Sequence, residues 1–177
     1  IISQVIPIKP KEVILLVILL RNFLFNMTLF LSTYINRIDK KGRISVPSSF
    51  RSVLEHNGLK GLICYPSPTL TSIEGCTFNR IKKLSDAIDS LGPFSEERSS
   101  FSSSILADSH QVGFDKEGRV ILPSELISSV GIKNEIAFIG MGETFQMWDP
   151  ETYNNYKKEN QKQAQEKLSK LQWSKDI

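Results

Sequence analysis

The sequence predicts a β-rich α+β fold that is built from two internal repeats with short helices. A five-residue cassette, Asp-Lys-Lys-Gly-Arg at residues 39–43, returns as Asp-Lys-Glu-Gly-Arg at residues 115–119. In both copies the next five residues are an apolar strand pattern followed by proline and serine. Since the patterns around the two copies also correspond, the chain is an internal duplication with a helical insert between the copies.

The first repeat, residues 31–73, begins with two strand patterns around its cassette. Residues 34–38 and 44–46 are rich in β-branched or alternating residues. Gly42 lies between them and suits a tight turn with positive φ, where a Cβ would clash. We therefore predict a hairpin at this position.

A short helix and two more strands complete the first repeat. Pro47 opens the helix, as proline often does at a first helical turn, and Asn57-Gly58 ends it. Its inward-facing residues are Phe50, Val53 and Leu54. Strands are predicted at residues 62–65 and 70–73, separated by two prolines.

A helical insert at residues 74–106 separates the repeats. Apolar residues recur at helical spacing in its first half, at Ile81, Leu84, Ile88 and Leu91. Gly92-Pro93 breaks this helix, and a second helix is expected over residues 94–106. Its inward-facing residues are expected to be Phe94, Phe101 and Ile105.

The second repeat, residues 107–150, follows the order of the first. A strand is predicted at 120–122, and Pro123 then opens a helix. The apolar face of that helix is formed by Leu126, Ile127 and Val130. The last strands are predicted at 135–140 and 144–148, and residues 151–177 form a polar C-terminal helix and tail. Because a unit of ~45 residues folds poorly alone, the two repeats are expected to share one core.

The first 26 residues differ in character from the rest. Residues 13–20 are all apolar and follow two lysines, which resembles a signal peptide or a short membrane anchor. Arg21 interrupts the run well short of the ~20 apolar residues that a membrane-spanning helix needs. We expect residues 1–26 to be a non-native extension translated by mistake upstream of Met27, and a genuine membrane segment is the alternative.

The amino-acid composition excludes few classes of function. The chain has 177 residues, of which 40% are hydrophobic and 23% charged, with a formal net charge of +3. This mildly basic balance is compatible with a nucleic-acid partner without indicating one. Two cysteines form neither a disulfide framework nor a metal quartet, so a reducing cytoplasm is expected.

The sequence contains little that indicates an enzyme active site or a metal site. Cys64 has His56 and His110 as candidate partners but no third orienting group, so we expect a buried cysteine in a strand. The cysteines and histidines lack the spacing of metal ligands. No glycine-rich phosphate-binding pattern is present. The sequence therefore predicts no enzyme, metal or cofactor.

The cassettes and the residues that follow them resemble a known DNA-binding module. The patterns are Asp39-x-x-Gly42-Arg43-x-x-x-Pro47 and Asp115-x-x-Gly118-Arg119-x-x-x-Pro123. Each is similar to the AbrB/SpoVT type of swapped-hairpin module. Two copies in this order, with Leu91-Gly92-Pro93, Arg98 and a terminal Phe145-x-x-Trp148, resemble the MraZ family of bacterial transcriptional regulators. The resemblance covers about residues 27–158.

The resemblance implies both a fold and a function. The fold would be a double swapped-hairpin, AbrB-like β-barrel. The function would be that of a sequence-specific DNA-binding repressor, cytoplasmic and nucleoid-associated, with no small-molecule substrate. It would control the division and cell-wall gene cluster that includes its own gene, binding tandem promoter repeats of double-stranded DNA as a ring-shaped homo-oligomer. The alternative is a structural or membrane-associated oligomer without specific DNA binding, for which residues 1–26 are the only support.

Basic residues concentrate around the first cassette. Arginine suits bidentate contact with guanine or phosphate, whereas lysine acts as a point charge. The expected DNA-binding residues are Arg43, Lys41, Lys40, Arg37 and Arg51, with Arg119 and Lys116 in the second copy. The expected loop-shaping residues are Asp39, Gly42, Asp115 and Gly118. As an alternative in each copy, the aspartate and arginine pair across the loop and simply fix its shape.

The chain departs from the family pattern at three positions that bear on these expectations. Ser32 stands where the family usually has glycine. Glu117 replaces the lysine that the first copy carries as Lys41, and the second helix lacks a basic residue equivalent to Arg51. We therefore expect the second repeat to contact DNA less than the first.

Overall fold

The computed structural model describes residues 29–58 and 60–168, which form a sheet-rich α+β fold. The expected N-terminal extension, residues 1–26, lies outside the described residues. The first half contains β1 Thr33–Arg37, β2 Arg43–Ser45, α1 Ser48–His56, β3 Gly61–Pro66, β4 Ile73–Cys76 and α2 Phe78–Asp89. The second half contains α3 Glu96–Phe101, a π-helical turn Ser102–Leu106, β5 His110–Gly113, β6 Arg119–Ile121, α4 Ser124–Ser129, β7 Glu135–Gly140, β8 Thr144–Trp148 and α5 Pro150–Lys167.

The strands are antiparallel and form two sheets. The larger sheet has the order β1-β7-β8-β4-β3-β5, and β2 pairs with β6 in a separate two-stranded ribbon. Strand β1 of the first repeat pairs with β7 of the second, and β5 of the second repeat pairs with β3 of the first. Because strands of each repeat lie beside strands of the other, both repeats contribute to both sheets.

The predicted hairpin around the first cassette is present only at its tip. A single bridge joins Ile38 to Ile44, and the backbone N–H of Asp39 donates to the carbonyl oxygen of Arg43 at 3.0 Å. Beyond that point β1 and β2 pair with different strands of the second repeat, so the prediction of one paired hairpin was wrong. A three-residue strand is marginal alone, and pairing β2 with β6 places Ile44 and Val120 together in the core.

The main core belongs to both repeats. It lies between one face of the larger sheet and a layer made by the ribbon, α1 and α4. Four phenylalanines, two from each half of the chain, form its centre, with ring centroids 4.8–6.2 Å apart in the closest pairs: Phe30, Phe50, Phe138 and Phe145. The expected inward faces of both short helices are confirmed, because their apolar residues pack in this core.

The opposite face of the larger sheet carries a second cluster under the insert. Along β3, Ile63 and Tyr65 alternate with residues of the main core and pack instead against Ile81 and Leu84 of α2. The helix predicted in the first half of the insert is therefore confirmed. Helix α2 and the ribbon lie on opposite sides of the sheet.

Two sequence-based predictions in the middle of the chain were wrong. Phe94 is 99% exposed and Phe101 is 45% exposed, so only Ile105 of that predicted face is buried. The Ser95 hydroxyl caps α3 by accepting from the backbone N–H of Arg98, which leaves Phe94 ahead of the helix. The strand predicted at 70–73 instead begins at Ile73, because a backbone hydrogen bond from Ser67 to Ser72 closes a loop before it.

Ser32 occupies a backbone conformation that favours glycine. Its φ is 75°, and among the described residues no other non-glycine residue has a positive φ. The Ser32 carbonyl oxygen accepts a hydrogen bond from the backbone N–H of Gly140 at 2.9 Å, which ties this conformation to β7. A left-handed conformation is disfavoured for residues with a Cβ, which explains why glycine would suit this position.

Replacing Ser32 by glycine should therefore raise the free energy of unfolding by about 0.5–1 kcal/mol. The relief of about 1–2 kcal/mol of backbone strain is partly offset by the greater freedom of glycine in the unfolded chain. The same change at Ser128, inside α4, serves as the control and should lower stability by about 0.5 kcal/mol. Urea unfolding followed by circular dichroism measures both, and a destabilised Ser32→Gly protein would contradict the assignment of strain.

Candidate nucleic-acid interface

The first cassette forms a loop that its aspartate closes. Oδ1 of Asp39 accepts hydrogen bonds from the backbone N–H groups of Lys41 and Arg43 at 2.8 and 3.0 Å. Oδ2 of Asp39 accepts from Nε and Nη2 of Arg43, both at 2.6 Å. Gly42 has a φ of 74°, and its N–H donates to the Asp39 carbonyl oxygen at 2.9 Å. Four residues close together in sequence thus determine the loop.

The second cassette repeats this geometry with one addition. Oδ1 of Asp115 accepts from the backbone N–H groups of Glu117 and Arg119, both at 2.9 Å, and Oδ2 accepts from Nε of Arg119 at 2.7 Å. Gly118 has a φ of 73°. Oε2 of Glu117 also accepts from Nη2 of Arg119 at 2.7 Å. Two carboxylates therefore engage Arg119, whereas a single one engages Arg43.

These contacts keep the loop carboxylates ionised. Hydrogen bonds from the side chain and backbone of Arg43 lower the pKa of Asp39 from 3.8 to about 2. Backbone and side-chain hydrogen bonds from Arg119 lower the pKa of Asp115, and the same pairing raises the pKa of Arg119. The pairing that the sequence allowed as an alternative is thus present in both loops. A contact of the same arginines with DNA stays a prediction.

The β2–β6 ribbon brings the two arginines to one surface. In its register Arg43 lies opposite Ile121, and Ser45 lies opposite Arg119, while the central pair of residues points into the main core. Because side chains alternate along a strand, these four residues share the outward side, which we call the ribbon face. The antiparallel pairing places the two cassettes at opposite ends of the ribbon.

Free positive charge flanks the ribbon face. Lys40 and Lys41 are exposed on the first loop and Lys116 on the second, and none of the three has a salt-bridge partner among the described residues. The Arg37 side chain at the end of β1 is 88% exposed, with Nε 3.3 Å from Oε1 of Glu135. The first loop therefore carries two free lysines, whereas the second carries one lysine and an acidic neighbour.

Arg51 differs from the other expected DNA-binding residues. From α1 its Nη1 donates to the carbonyl oxygen of Val46, and its side chain covers the second loop. A Cβ built on Gly118 would lie 2.6 Å from Nε of Arg51, whereas a Cβ on Gly42 would meet nothing within 4 Å. In α4 the corresponding residue is Ile127, which packs against the core. Arg51 thus joins the helix of one repeat to the loop of the other.

Both cysteines of the described residues are buried and free. Cys64 is fully buried in β3, as expected, and burial raises its pKa and that of Cys76 to about 12. Across residues 29–58 and 60–168, no group of histidine, cysteine and acidic residues could hold a metal ion. Over the same ranges, every helix is too short or too polar to cross a bilayer.

The chain is similar to known proteins over most of its length. Residues 105–172 match the family model described as "MraZ protein, putative antitoxin-like". A protein named transcriptional regulator MraZ from Pelagibacter ubique is 50% identical over 147 residues, which cover 83% of this chain and 95% of that relative. Proteins of the same name from Rickettsia bellii and Rickettsia canadensis are 45% and 43% identical, over 80% of this chain and 95% of each relative. The chain therefore belongs to the MraZ family, a family of transcriptional regulators and not of enzymes.

Proposed function

We propose that this protein is a sequence-specific DNA-binding repressor of the division and cell-wall gene cluster that includes its own gene. The observation that carries this proposal is the ribbon face, where matched aspartate loops hold two partly exposed arginines on the outward side of the ribbon. Membership of a family of transcriptional regulators supports a nucleic-acid partner. In this proposal the protein acts in the cytoplasm, associated with the nucleoid.

The dimensions of the ribbon suit the major groove of DNA. That groove is about 12 Å wide and admits a two-stranded β-ribbon, whose strands lie about 4.8 Å apart. Arginine is the residue most often found in bidentate contact with guanine O6 and N7. Because each aspartate orients its arginine before DNA arrives, less side-chain entropy would be lost on binding.

The two copies should contribute unequally. Arg43 donates to one carboxylate and has Lys40 and Lys41 beside it, so we assign it the larger share of the contact, with Arg37 at its flank. Arg119 donates through the same two nitrogens, Nε and Nη2, but to two carboxylates, so more of its positive charge is neutralised before DNA binds. We assign Lys116 a phosphate contact, and Arg51 an indirect role through the second loop.

We extend the proposal to assembly. The exchange of strands between repeats supports a double swapped-hairpin barrel, with residues 31–73 and 107–150 as its two repeats. One protomer offers few phosphate contacts and would bind weakly by itself. A ring-shaped homo-oligomer with several ribbon faces on one rim would bind tandem promoter repeats with avidity.

A gel shift with the DNA upstream of the chain's own gene tests the function. The protein should retard this DNA in preference to a shuffled duplex, and the affinity should fall steeply as salt is raised from 50 to about 200 mM. Arg43→Ala should lose about tenfold or more in specific affinity, since one bidentate arginine contact provides about 1–3 kcal/mol of discrimination. Equal binding of both duplexes, or full binding by Arg43→Ala, would contradict the proposed reading.

Replacing the two lysines of the first loop gives a second test, which uses the same dependence of DNA affinity on salt concentration. Replacing Lys40 and Lys41 by alanine should flatten the slope of log affinity against log salt by about 2, one for each lost phosphate contact. Lys82 and Lys83 form the matched control, because they are also consecutive and exposed but lie on α2, beyond the sheet. If both double variants leave the slope of log affinity against log salt unchanged, the loop lysines do not contact DNA phosphates.

A further inference from the structure

An exposed isoleucine lies at the centre of the ribbon face. Ile121 is 59% exposed, while its neighbours in sequence, Val120 and Leu122, are 2% and 3% exposed. Single exposed apolar residues are common on protein surfaces, so exposure alone says little. The position is informative, because Ile121 lies directly across the ribbon from Arg43.

The two arginines have equivalent positions on the ribbon, but the residues that lie opposite them differ. Ser45 follows Arg43 by two residues, as Ile121 follows Arg119, so the two have equivalent places in their repeats. Each lies opposite the arginine of the other repeat. One end of the ribbon face therefore pairs arginine with an apolar side chain, and the other end pairs arginine with a hydroxyl.

We infer that Ile121 is a specificity-determining residue that contacts the C5-methyl group of a thymine in the major groove. This inference rests on the proposed DNA binding. The thymine methyl is the apolar group that base pairs present in that groove, and apolar side chains recognise it. Residues that lie opposite each other on a ribbon are about 5 Å apart, and successive base pairs are about 3.4 Å apart along the DNA axis. Two opposite side chains can therefore reach the same or neighbouring base pairs.

Arg43 and Ile121 would together read neighbouring base pairs, a guanine next to a thymine. At the other end, Ser45 has a hydroxyl that donates or accepts, so it discriminates less between bases. The ribbon would then bind each site in one orientation although its two loops have nearly the same shape. An asymmetric DNA element is the expected ligand.

The charge around Ile121 favours DNA over a second copy of the chain as the occupant of this surface. The outward side of the ribbon carries two arginines, and its loops add Lys40, Lys41 and Lys116, which makes five basic groups against the three carboxylates of Asp39, Asp115 and Glu117. The same basic surface on another protomer would repel it, whereas a polyanion is complementary to it. Ile121 is therefore an apolar contact within an interface for nucleic acid.

Deoxyuridine substitution tests this inference, because it removes the thymine methyl and leaves base pairing intact. The probe is a short duplex selected by the protein from a random-sequence library, with each thymidine replaced in turn. One replacement should weaken binding of the unmodified protein about fourfold, the factor that corresponds to about 0.8 kcal/mol for a buried methyl group. Ile121→Ser should bind the thymidine and deoxyuridine duplexes equally.

An exchange variant and a control complete the test. The double variant Ser45→Ile with Ile121→Ser should move the sensitive thymine to the other end of the selected site. Ile35→Ser is the control, since Ile35 is 56% exposed on β1 and outside the ribbon, and it should keep the original sensitivity. The inference would be overturned, and the proposed function left standing, by either of two results. Every deoxyuridine replacement could leave binding of the unmodified protein unchanged, or Ile121→Ser could still bind the deoxyuridine duplex more weakly than the thymidine duplex. Failure to select any sequence would overturn the proposed function and this inference together.

Discussion

Replacing Phe50 by alanine is expected to lower the free energy of unfolding by about 3–5 kcal/mol. Phe50 is fully buried, and its ring centroid lies 5.2 Å from those of Phe30 and Phe145 and 5.5 Å from that of Tyr34. The change would remove apolar contact area, leave a cavity and break several edge-to-face contacts of about 0.5–1.5 kcal/mol each. Since a domain is stable by only about 5–15 kcal/mol, this is a large fraction of the total.

The comparison for Phe50 is Phe94→Ala, which deletes the same atoms from a side chain that is 99% exposed. This control should change the free energy of unfolding by less than about 0.5 kcal/mol. Urea unfolding at a single low protein concentration, followed by circular dichroism, measures both variants. Equal losses would mean that the aromatic cluster is not the centre of the core that stabilises the chain.

Local geometry was predictable from the sequence because each cassette contains all of its own determinants. The aspartate, the glycine with positive φ and the arginine lie within five residues, so their hydrogen bonds form without help from the rest of the chain. The helix after each proline was predictable for a similar reason, since its apolar residues repeat with helical spacing. The strands at 135–140 and 144–148 were also found, because a glycine-containing turn joins them.

Contacts between the repeats were not predictable in the same way. Nothing in the strand pattern at 34–38 says that its partner is β7, because any unpaired strand could satisfy its backbone groups. The contact of Arg51 with Gly118 joins residues far apart in the sequence, whereas a role for Arg51 at DNA was expected only from the concentration of basic residues around the first cassette. The ribbon face depends on the register of β2 with β6, so its four residues could not be grouped from the sequence.

Phe94 shows a limit of helical periodicity as evidence. Its spacing from Phe101 and Ile105 suggested one buried face, yet a serine cap two residues after Pro93 starts the helix later than that pattern requires. A capping serine followed by two glutamates was visible in the sequence as Ser95-Glu96-Glu97. Acidic residues are favoured in the first helical turn, so this signal could have corrected the helix start.

Cutting a tandem operator to a single repeat is expected to reduce binding about a hundredfold to ten-thousandfold, if several ribbon faces bind one DNA molecule. A single ribbon face offers two arginines and three nearby free lysines, and each loop arginine is already partly neutralised by its aspartate. After one face has bound, the next binds at a high effective concentration, which multiplies affinity without any new type of contact. The loss should therefore far exceed that of any single side chain on the ribbon face.

The measurement compares duplexes of one length that contain one, two or three copies of the promoter repeat, with scrambled sequence in place of the missing copies. Constant length keeps the non-specific electrostatic contribution the same, so the difference reports the number of specific sites. Inserting five base pairs between copies rotates them to opposite sides of the duplex by about half a helical turn of 10–10.5 base pairs, and should cost nearly as much as deleting a copy. Equal affinity for one and three copies would show that each protomer binds DNA independently, because avidity requires that two faces engage the same molecule.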